Sequence, residues 1–494
     1  MNRFFKKSEQ IIYQSVFCIF VVIMISLSAF CILGYLTNGG VQGIAFMAFA
    51  IGMVLLLYIL YKKRVFENQK LLWGIFVLGI ILKIVYAIAF DFDIRSDMNK
   101  CYEAARQMAM GNLSWAKTSY FEIHTGQWLL VLYEALVLNI FKTVRALYLF
   151  NVLWSVITAY LIYLVVNRLN KDITVALIIS CFYMFLPSSF LSIGILYSYI
   201  FVGLFLALII YLSIILWELF QTKGKIWKKL GIFFLIGVIS KISAQFKTDG
   251  NLPILALSCV SAYLVIKFLG EKDYRSLAEV LFGVFLMWMG FFGMKVVYQI
   301  IVWLCGLTLK SKKGTSLYWP LVVGLNPNHD GIYNTDYAYI LDLSTQEKGK
   351  AFKVIMQEMT KDMNIFDWIM FYIRKMTKMW GSIDTTIGWG NLPSDSVFWK
   401  LIINFFMCLD KFIYSFFILL GAYGLKKKRE DFVQKQGYLL LQAIVIAYYV
   451  MFIFVEIQTR YRFTPIIALS LVAPFGLCVL QEKGKFDRDG TDKV

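Results

Sequence analysis

The sequence is poor in the residues that a soluble domain needs. Only 16% of its 494 residues are charged, 7 are proline and 2 are histidine. Hydrophobic residues make up 60% of the chain, and the mean hydropathy is +0.68. A soluble protein of this length needs a larger polar fraction to cover its surface. The composition therefore excludes a soluble domain and indicates an integral membrane protein.

Several chemical signatures are also missing. We find no Walker, Rossmann or Gly-x-Ser-x-Gly pattern, which disfavours nucleotide-driven and acyl-transfer chemistry. The 8 cysteines lie mainly in apolar segments, and only Cys101 falls clearly in a predicted outer loop. This distribution predicts neither a disulfide framework nor a cysteine metal site.

Long apolar runs dominate what is present. A run of about 18 apolar residues, wound as a helix, can cross about 30 Å of hydrocarbon. We predict an all-α polytopic membrane protein with about 12 to 13 transmembrane helices and short juxtamembrane helices in its extracytoplasmic loops. The first span is expected to be a signal anchor. The predicted spans are 12–36, 41–61, 71–91, 147–166, 196–219, 229–246, 251–268, 279–304, 401–424, 437–456 and 463–480, with two shorter candidates at 128–141 and 172–187.

Basic loops set the expected orientation. The runs at 62–64, 223–229 and 426–429 should be cytoplasmic, so the net charge of +18 reflects topology more than nucleic-acid binding. The loops 92–127 and 306–400 are then expected on the extracytoplasmic side of the plasma membrane, which we expect to be bacterial. Thirteen spans would put the termini on opposite sides, although the charges favour both inside. We therefore expect one of the two shorter segments to be re-entrant or interfacial.

Four regions follow from this topology. Residues 1–70 hold two transmembrane helices and a cytoplasmic loop, and 71–305 hold the main transmembrane core with the first external loop. Residues 306–400 form a large extracytoplasmic loop. Residues 401–494 hold the last transmembrane helices and a cytoplasmic tail.

The stretch "RSDMNKCYEAARQMAMGNLSW" (95–115) follows an apolar span directly. Its apolar residues recur at helical spacing, and Gly111 is a good stop signal. Asp97 therefore lies where a helix begins at the membrane surface. One interpretation is that Asp97 is only an N-cap, a position that Asp favours.

The stretch as a whole resembles the first external loop of GT-C membrane glycosyltransferases, including the protein O-mannosyltransferase and aminoarabinose transferase group. Asp97 matches the acidic residue of that loop, "YEAARQM" its helix, "GNLSW" its turn and "YFE" (120–122) its aromatic-Glu element. The Pro-Pro pair of the group is replaced here by "IHTGQ", and two extra helices precede its usual first helix.

The resemblance implies transfer of a sugar from a polyprenyl-phosphate lipid to an acceptor on the outer face. Such a reaction needs a base for the acceptor hydroxyl, and a well-placed carboxylate contributes about a hundredfold to ten-thousandfold. We predict Asp97 as the base, with Asp93 as the second candidate.

The departing phosphate needs cations at the outer ends of helices. Lys247, Arg460 and Arg462 lie there, where the positive-inside rule does not explain them. The alternative for each is snorkelling or pairing with lipid phosphates.

Other outer residues have weaker predicted roles. A divalent metal ion is a candidate cofactor: the resemblance carries over Glu122 as a ligand, whereas His124 follows from no motif. The residues predicted to bind the acceptor or sugar are Asn326, His329, Asp330, Tyr333 and Trp389. The alternatives are a hydrogen-bonded turn for the loop residues and interfacial anchoring for the aromatic ones.

Two other functions remain open at this point. A transporter or flippase of lipid-linked sugars would show charged or broken helices at mid-membrane depth. Only Lys83 and Glu134 fit that pattern, and no repeated halves are detectable. A polysaccharide polymerase or ligase that uses a lipid-diphosphate donor would give much the same sequence pattern.

Overall fold

The protein is described by a computed structural model that covers residues 2–37, 41–307, 317–390, 392, 396–427 and 437–480. Part of the large loop (308–316), part of the basic run at 426–429 and the predicted tail (481–494) lie outside these residues. The helices are α1 (Asn2–Thr37), α2 (Val41–Lys62), α3 (Gln69–Ala89), α4 (Ser96–Ala109), α5 (Ser119–Ile123), α6 (Trp128–Phe141), α7 (Val144–Asn170), α8 (Ile173–Met184), α9 (Pro187–Leu191), α10 (Tyr199–Gln221), α11 (Ile226–Phe246), α12 (Leu252–Glu271), α13 (Tyr274–Leu304), α14 (Tyr318–Gly324), α15 (Thr345–Thr360), α16 (Ile365–Gly381), α17 (Thr385–Trp389), α18 (Val397–Lys427), α19 (Gly437–Phe454) and α20 (Pro465–Val472).

The predicted fold class is confirmed. Nine helices of the described chain are long and apolar enough to cross a membrane, and α8 with α9 forms a further apolar pair bent by 58°. Three shorter apolar helices cover 125–141, 438–454 and 465–480. No strand occurs among the described residues, which pair as β only at the single bridge between Ile332 and Ile457.

Contacts between α3 and α7 identify the short segment that does not cross. The two helices run antiparallel, because Trp73 packs on Tyr163 while Lys83 reaches Ser155. Near the end of α3, Asp91 forms an ion pair with Arg145 at the start of α7, at 3.3 Å. We call this end of the bundle, which carries residues 92–127, the loop face.

Helix α6 therefore begins and ends at the loop face, since residues 92–127 precede it and Arg145 follows it closely. By length and composition the described chain has nine crossing helices, or ten if the bent α8–α9 pair is one span, and α19 and the apolar stretch that begins with α20 are shorter. Of the two short candidates, 128–141 is the one that does not cross.

The bend between α8 and α9 is held by buried polar groups. Proline at position 187 has no amide hydrogen and interrupts the helix. The Ser188 amide donates to the Asp410 carboxylate at 2.8 Å, and the Lys83 ammonium donates to Ser189 in α9 at 3.5 Å as well as to Ser155 in α7 at 2.6 Å. These hydrogen bonds satisfy polar groups that would have no partner among lipid chains. Lys83 thus has a structural role at the bend.

Helices α11 and α13 run parallel and pack closely. Lys229 forms a buried ion pair with Glu279 at 2.6 Å near the face opposite the loop face. One turn further along, the Phe233 ring fills the space beside Gly283. A Cβ atom added to Gly237 would overlap the Met287 carbonyl, so glycine is required for this close approach. Along this contact between α11 and α13, which we call the seam, every fourth residue of α11 packs against the residue 50 positions later in the sequence.

Candidate functional site

Asp97 projects from the first turn of α4 at the loop face. Ser96 adopts a left-handed φ of 54°, which turns the chain sharply into the helix. The N-cap position is taken by Arg95, and no side chain caps the helix there. Cys101 and Ala105 pack inward, whereas Asp97 is exposed. The N-cap interpretation of Asp97 is therefore wrong, and its carboxylate hydrogen-bonds with the Tyr120 side chain instead.

The surroundings of Asp97 come from the segment that leads to α6. The Lys100 ammonium lies 4.2 Å from the Tyr120 ring, and the Tyr120 and His124 rings are 4.7 Å apart. Burial raises the pKa of the Tyr120 hydroxyl, and the Cys101 thiol and the Asp97 carboxylate raise it further. Burial lowers the pKa of His124, against the opposing effect of Asp97. Asp97 thus faces two polar rings.

Lys247 is held between two tyrosine rings at the end of α11. Its ammonium lies 3.7 Å from the centre of the Tyr199 ring and 4.2 Å from that of Tyr461. Tyr199 begins α10, whereas Tyr461 follows α19, so two distant parts of the chain build this cation–π site. The Tyr461 hydroxyl donates to Glu456 at 3.0 Å, which fixes the ring.

The charge on Lys247 is balanced by its neighbours. Burial lowers the pKa of its ammonium to about 8, and Arg460 also lowers it, whereas Asp249, Glu456 and Asp97 raise it. These opposing effects mean that Asp97 and Arg460 both lie within electrostatic reach of Lys247. Three residues that the sequence predicted for the reaction are therefore close together at the loop face.

Arg460 has spare hydrogen-bonding capacity in this cluster. Its guanidinium stacks 4.4 Å from the centre of the Trp389 ring and 5.8 Å from that of Tyr461. Its Nε atom is buried and has no hydrogen-bond partner in the described chain. A buried donor of this kind favours an anionic ligand, because an unsatisfied group costs about 1 to 3 kcal/mol. The Arg460 guanidinium covers part of the Trp389 ring, which reduces the ring surface that a sugar could contact.

Arg462 points inward instead of toward this cluster. It is 3% exposed and donates to the carbonyl oxygens of Ser382 at 2.8 Å and Thr459 at 3.0 Å. It also pairs with the buried Asp384 at 3.4 Å, and its guanidinium stacks on Tyr414. Its predicted contact with a donor phosphate would require these bonds to break. The geometry favours a structural role that anchors the segment carrying Arg460.

Replacing Arg462 with methionine should therefore destabilise the protein. Asp384 would remain buried without its partner, which typically costs about 3 to 5 kcal/mol. We expect a clear fall in the thermal unfolding midpoint of Arg462→Met in detergent, followed by tryptophan fluorescence. Arg460→Met is the matched control and should unfold near the wild-type temperature. Equal midpoints for wild type and Arg462→Met would contradict this role.

Asp93, Glu122 and His124 complete the first loop. Asp93 is exposed and pairs with Arg95 at 2.6 Å. Glu122 is exposed on α5, two residues before the half-buried His124. Among the described residues, no three His, Cys, Asp or Glu side chains are grouped closely enough to hold a metal ion. The pair of Glu122 and His124 lacks a third protein ligand there, so the described residues do not fit a typical metal site.

The loop at 324–336 folds into a hydrogen-bonded turn cluster. The Asn326 side chain is buried and accepts from the Asn328 amide at 3.0 Å. His329 lies 2.8 Å from Asp336, and Asp330 pairs with Arg374 and Lys378 at 2.9 and 2.7 Å.

Burial alone would raise the pKa of Asp330, but Lys378 and Arg374 outweigh it and hold that pKa below its usual value. Tyr333 is exposed beside Trp319, with ring centres 6.4 Å apart. Asn326, His329 and Asp330 thus bond mainly within the loop or to α16, and the exposed rings among the predicted acceptor residues are those of Tyr333 and His329.

Buried Lys375 ties this loop to the bundle. Its ammonium donates to the carbonyl oxygens of Gly324, Ile453 and Val455, at 2.5, 2.9 and 2.9 Å. Burial lowers its pKa to about 7. The contact joins the large loop to the end of α19, directly before the segment that carries Tyr461 and Arg460.

Sequence reasoning missed the aromatic and acidic partners of the site. Tyr199, Tyr461 and Asp249 surround Lys247, and Tyr120 faces Asp97. The one available signal was the spacing of Lys247 and Asp249 in "FKTDGN" at the end of an apolar helix. Aromatic residues make up 17% of the chain, so no single tyrosine stands out.

Comparisons with known proteins give only distant matches. No protein-family model and no curated protein matches the chain. Solved structures that are similar include the Archaeoglobus fulgidus oligosaccharyltransferase with Zn and sulfate, at 12% identity and a TM-score of 0.45, over 83% of this chain and 50% of that one. The apo form of the same protein is similar at 12% identity and a TM-score of 0.46, over 86% of this chain and 52% of that one.

A third match is the archaeal oligosaccharyltransferase AglB from the same organism, in complex with an inhibitory peptide and a dolichol-phosphate. It gives 9% identity and a TM-score of 0.41, over 86% of this chain and 52% of that one. The chain spans about half the length of these structures. Likeness at this level supports no inference about activity.

Proposed function

We propose that this protein is a GT-C-type membrane glycosyltransferase. It would transfer a sugar from a polyprenyl-phosphate-linked donor to an extracytoplasmic acceptor: a cell-envelope polysaccharide, a teichoic acid, a glycolipid or a protein. The observation that carries the proposal is the contact of Lys247 and Arg460 with the same Tyr461 ring at the loop face, with Asp97 within electrostatic reach of Lys247. The resemblance of residues 96–132 to the first external loop of that group points to the same chemistry.

The proposed reaction divides its charges between these residues. The acceptor hydroxyl attacks the anomeric carbon of the sugar, and Asp97 takes the hydroxyl proton. The bond between that carbon and the phosphate oxygen breaks, so the lipid phosphate leaves as a monoester with one more negative charge. Lys247 and Arg460 would stabilise this growing charge, which preorganised cations do well in a partly dehydrated site.

A purified protein in detergent tests this function. We expect it to move labelled sugar from a lipid extract of the corresponding deletion strain to the envelope polymer that this strain leaves incomplete. A flippase moves lipids across a membrane and would not transfer sugar in detergent. An absence of sugar transfer in detergent, together with transport of the lipid-linked sugar in vesicles, would therefore overturn the proposal. Transfer that depends on a lipid diphosphate instead would identify a polymerase or ligase.

A further inference from the structure

Two lysines on α11 and α13 face the membrane without an acidic partner. The Lys241 ammonium lies 5.1 Å from the centre of the Phe291 ring, continuing the register of the seam between these helices. Lys295 follows Phe291 by four residues, which places it on the same side of α13, one turn further on. Lys295 thus lies within electrostatic reach of Lys241. Neither lysine forms an ion pair with the described part of the chain.

A third lysine between the same two helices does have an acidic partner. At the opposite end of the seam, Lys229 is neutralised by Glu279 at 2.6 Å. Lys241 and Lys295 are instead two like charges on adjacent helices, about one turn apart along the seam, and neither forms an ion pair with a carboxylate of the described residues. A bound anion that is not part of the chain would offset their repulsion.

The depth of the two lysines identifies where that anion comes from. At 1.5 Å per residue, Lys241 lies about 18 Å along α11 from Lys229, and Lys295 about 24 Å along α13 from Glu279. With a hydrocarbon core of about 30 Å, both lysines are in the half of the membrane next to the loop face. Their flexible stems let the ammonium groups reach the headgroup level.

The neighbours of Lys295 show that this surface is open to lipid. Phe292 and Val296 flank it on α13 and are 56% and 53% exposed, and Lys295 is exposed as well. Lys241 is half-buried against α13. The anion therefore belongs to a molecule whose apolar part lies in the membrane, beside these exposed side chains.

We propose that Lys241 and Lys295 bind the phosphate of a polyprenyl monophosphate, the carrier released after sugar transfer. Two cations match a phosphate monoester, which carries close to two negative charges at pH 7, better than a phosphodiester, which carries one. Lys241 lies six residues before Lys247, about 9 Å along α11. The spent carrier thus has a second phosphate site beside the reaction site, reached by moving within the outer leaflet.

The identity of the carrier rests on the proposed function, whereas the binding site itself is tested without it. We would measure binding of a long-chain prenyl monophosphate to the full chain in phosphatidylcholine nanodiscs, with no acceptor present. The double variant Lys241→Gln/Lys295→Gln should bind about tenfold to a hundredfold more weakly than wild type. Lys225→Gln/Lys228→Gln, at the other end of α11, removes the same charge and should bind as wild type does.

The same comparison in a Lys247→Gln background, in which the reaction site is weakened, separates the two sites: adding Lys241→Gln/Lys295→Gln should still lower the affinity for the monophosphate. Wild-type affinity in the Lys241→Gln/Lys295→Gln variant would overturn the proposal. Equal binding of phosphatidylglycerol, lost in the same variant, would also overturn it and assign the pair to ordinary anionic lipid. If purified wild type transfers no sugar but the lysine pair still binds the monophosphate, the proposed function fails and the site stands.

Discussion

Asp97→Asn should lower the rate of sugar transfer about a hundredfold to ten-thousandfold, which is the usual contribution of a positioned base. Asparagine keeps the size of the side chain but accepts no proton at neutral pH. Because Asp97 is exposed and caps no helix, the variant should remain folded and bind the donor normally. The measurement is transfer by purified protein in detergent, with kcat and the donor KM determined separately.

Asp93→Asn is the matched control for this experiment. Asp93 carries the same charge in the same loop, but it is exposed and paired with Arg95. We expect its rate to stay within a few-fold of wild type. If Asp93→Asn is the inactive variant and Asp97→Asn is active, the base has been assigned to the wrong carboxylate. Full activity in both variants would rule out an acid–base role for this part of the loop.

Lys247→Gln should raise the donor KM about tenfold to a hundredfold, the loss expected for a charge-assisted contact to phosphate of about 1.5 to 3 kcal/mol. Glutamine still packs between the Tyr199 and Tyr461 rings but carries no charge. The donor KM is measured in detergent, and Lys228→Gln, an exposed lysine at the other end of α11, controls for the loss of charge. An unchanged KM would show that Lys247 only fills space between the rings.

The pH dependence gives an independent check on Lys247. Burial lowers the pKa of its ammonium to about 8, so the residue is charged below that pH and loses its charge above it. The donor is an anion throughout this range, and its affinity in wild type should therefore fall as the pH rises through 8. Lys247→Arg keeps its charge to a much higher pH and should abolish this fall. A KM that is independent of pH between 7 and 9 in wild type would contradict the assignment.

The crossing helices could be predicted because hydropathy is a local property. Long apolar runs specify helices in a membrane whatever their neighbours are, since no other open structure satisfies the backbone there. The topology of 128–141 could not be predicted in this way, because a short apolar helix is compatible with crossing and with re-entry. The ion pair between Asp91 and Arg145, 54 residues apart, decides it.

The site was predictable only where a residue violated a simple rule. Lys247 and Arg460 stood out as cations at the outer ends of helices, but so did Arg462. Arg460 and Arg462 are two residues apart with identical chemistry, and only the tertiary contacts separate the guanidinium that stacks on Trp389 from the one that binds Asp384. The turn cluster at 326–336 likewise contained plausible ligands whose partners lie on α16, far along the chain.

The cation–π site around Lys247 also constrains the order in which the protein can mature. Tyr199 and Lys247 are translated and inserted well before Tyr461, which follows α19. Until that late segment leaves the ribosome and docks, the lysine has one ring beside it and no Arg460 nearby. A nascent chain that holds only the first thirteen helices therefore lacks part of the proposed reaction centre, and we expect no sugar transfer until Tyr461 and Arg460 are in place.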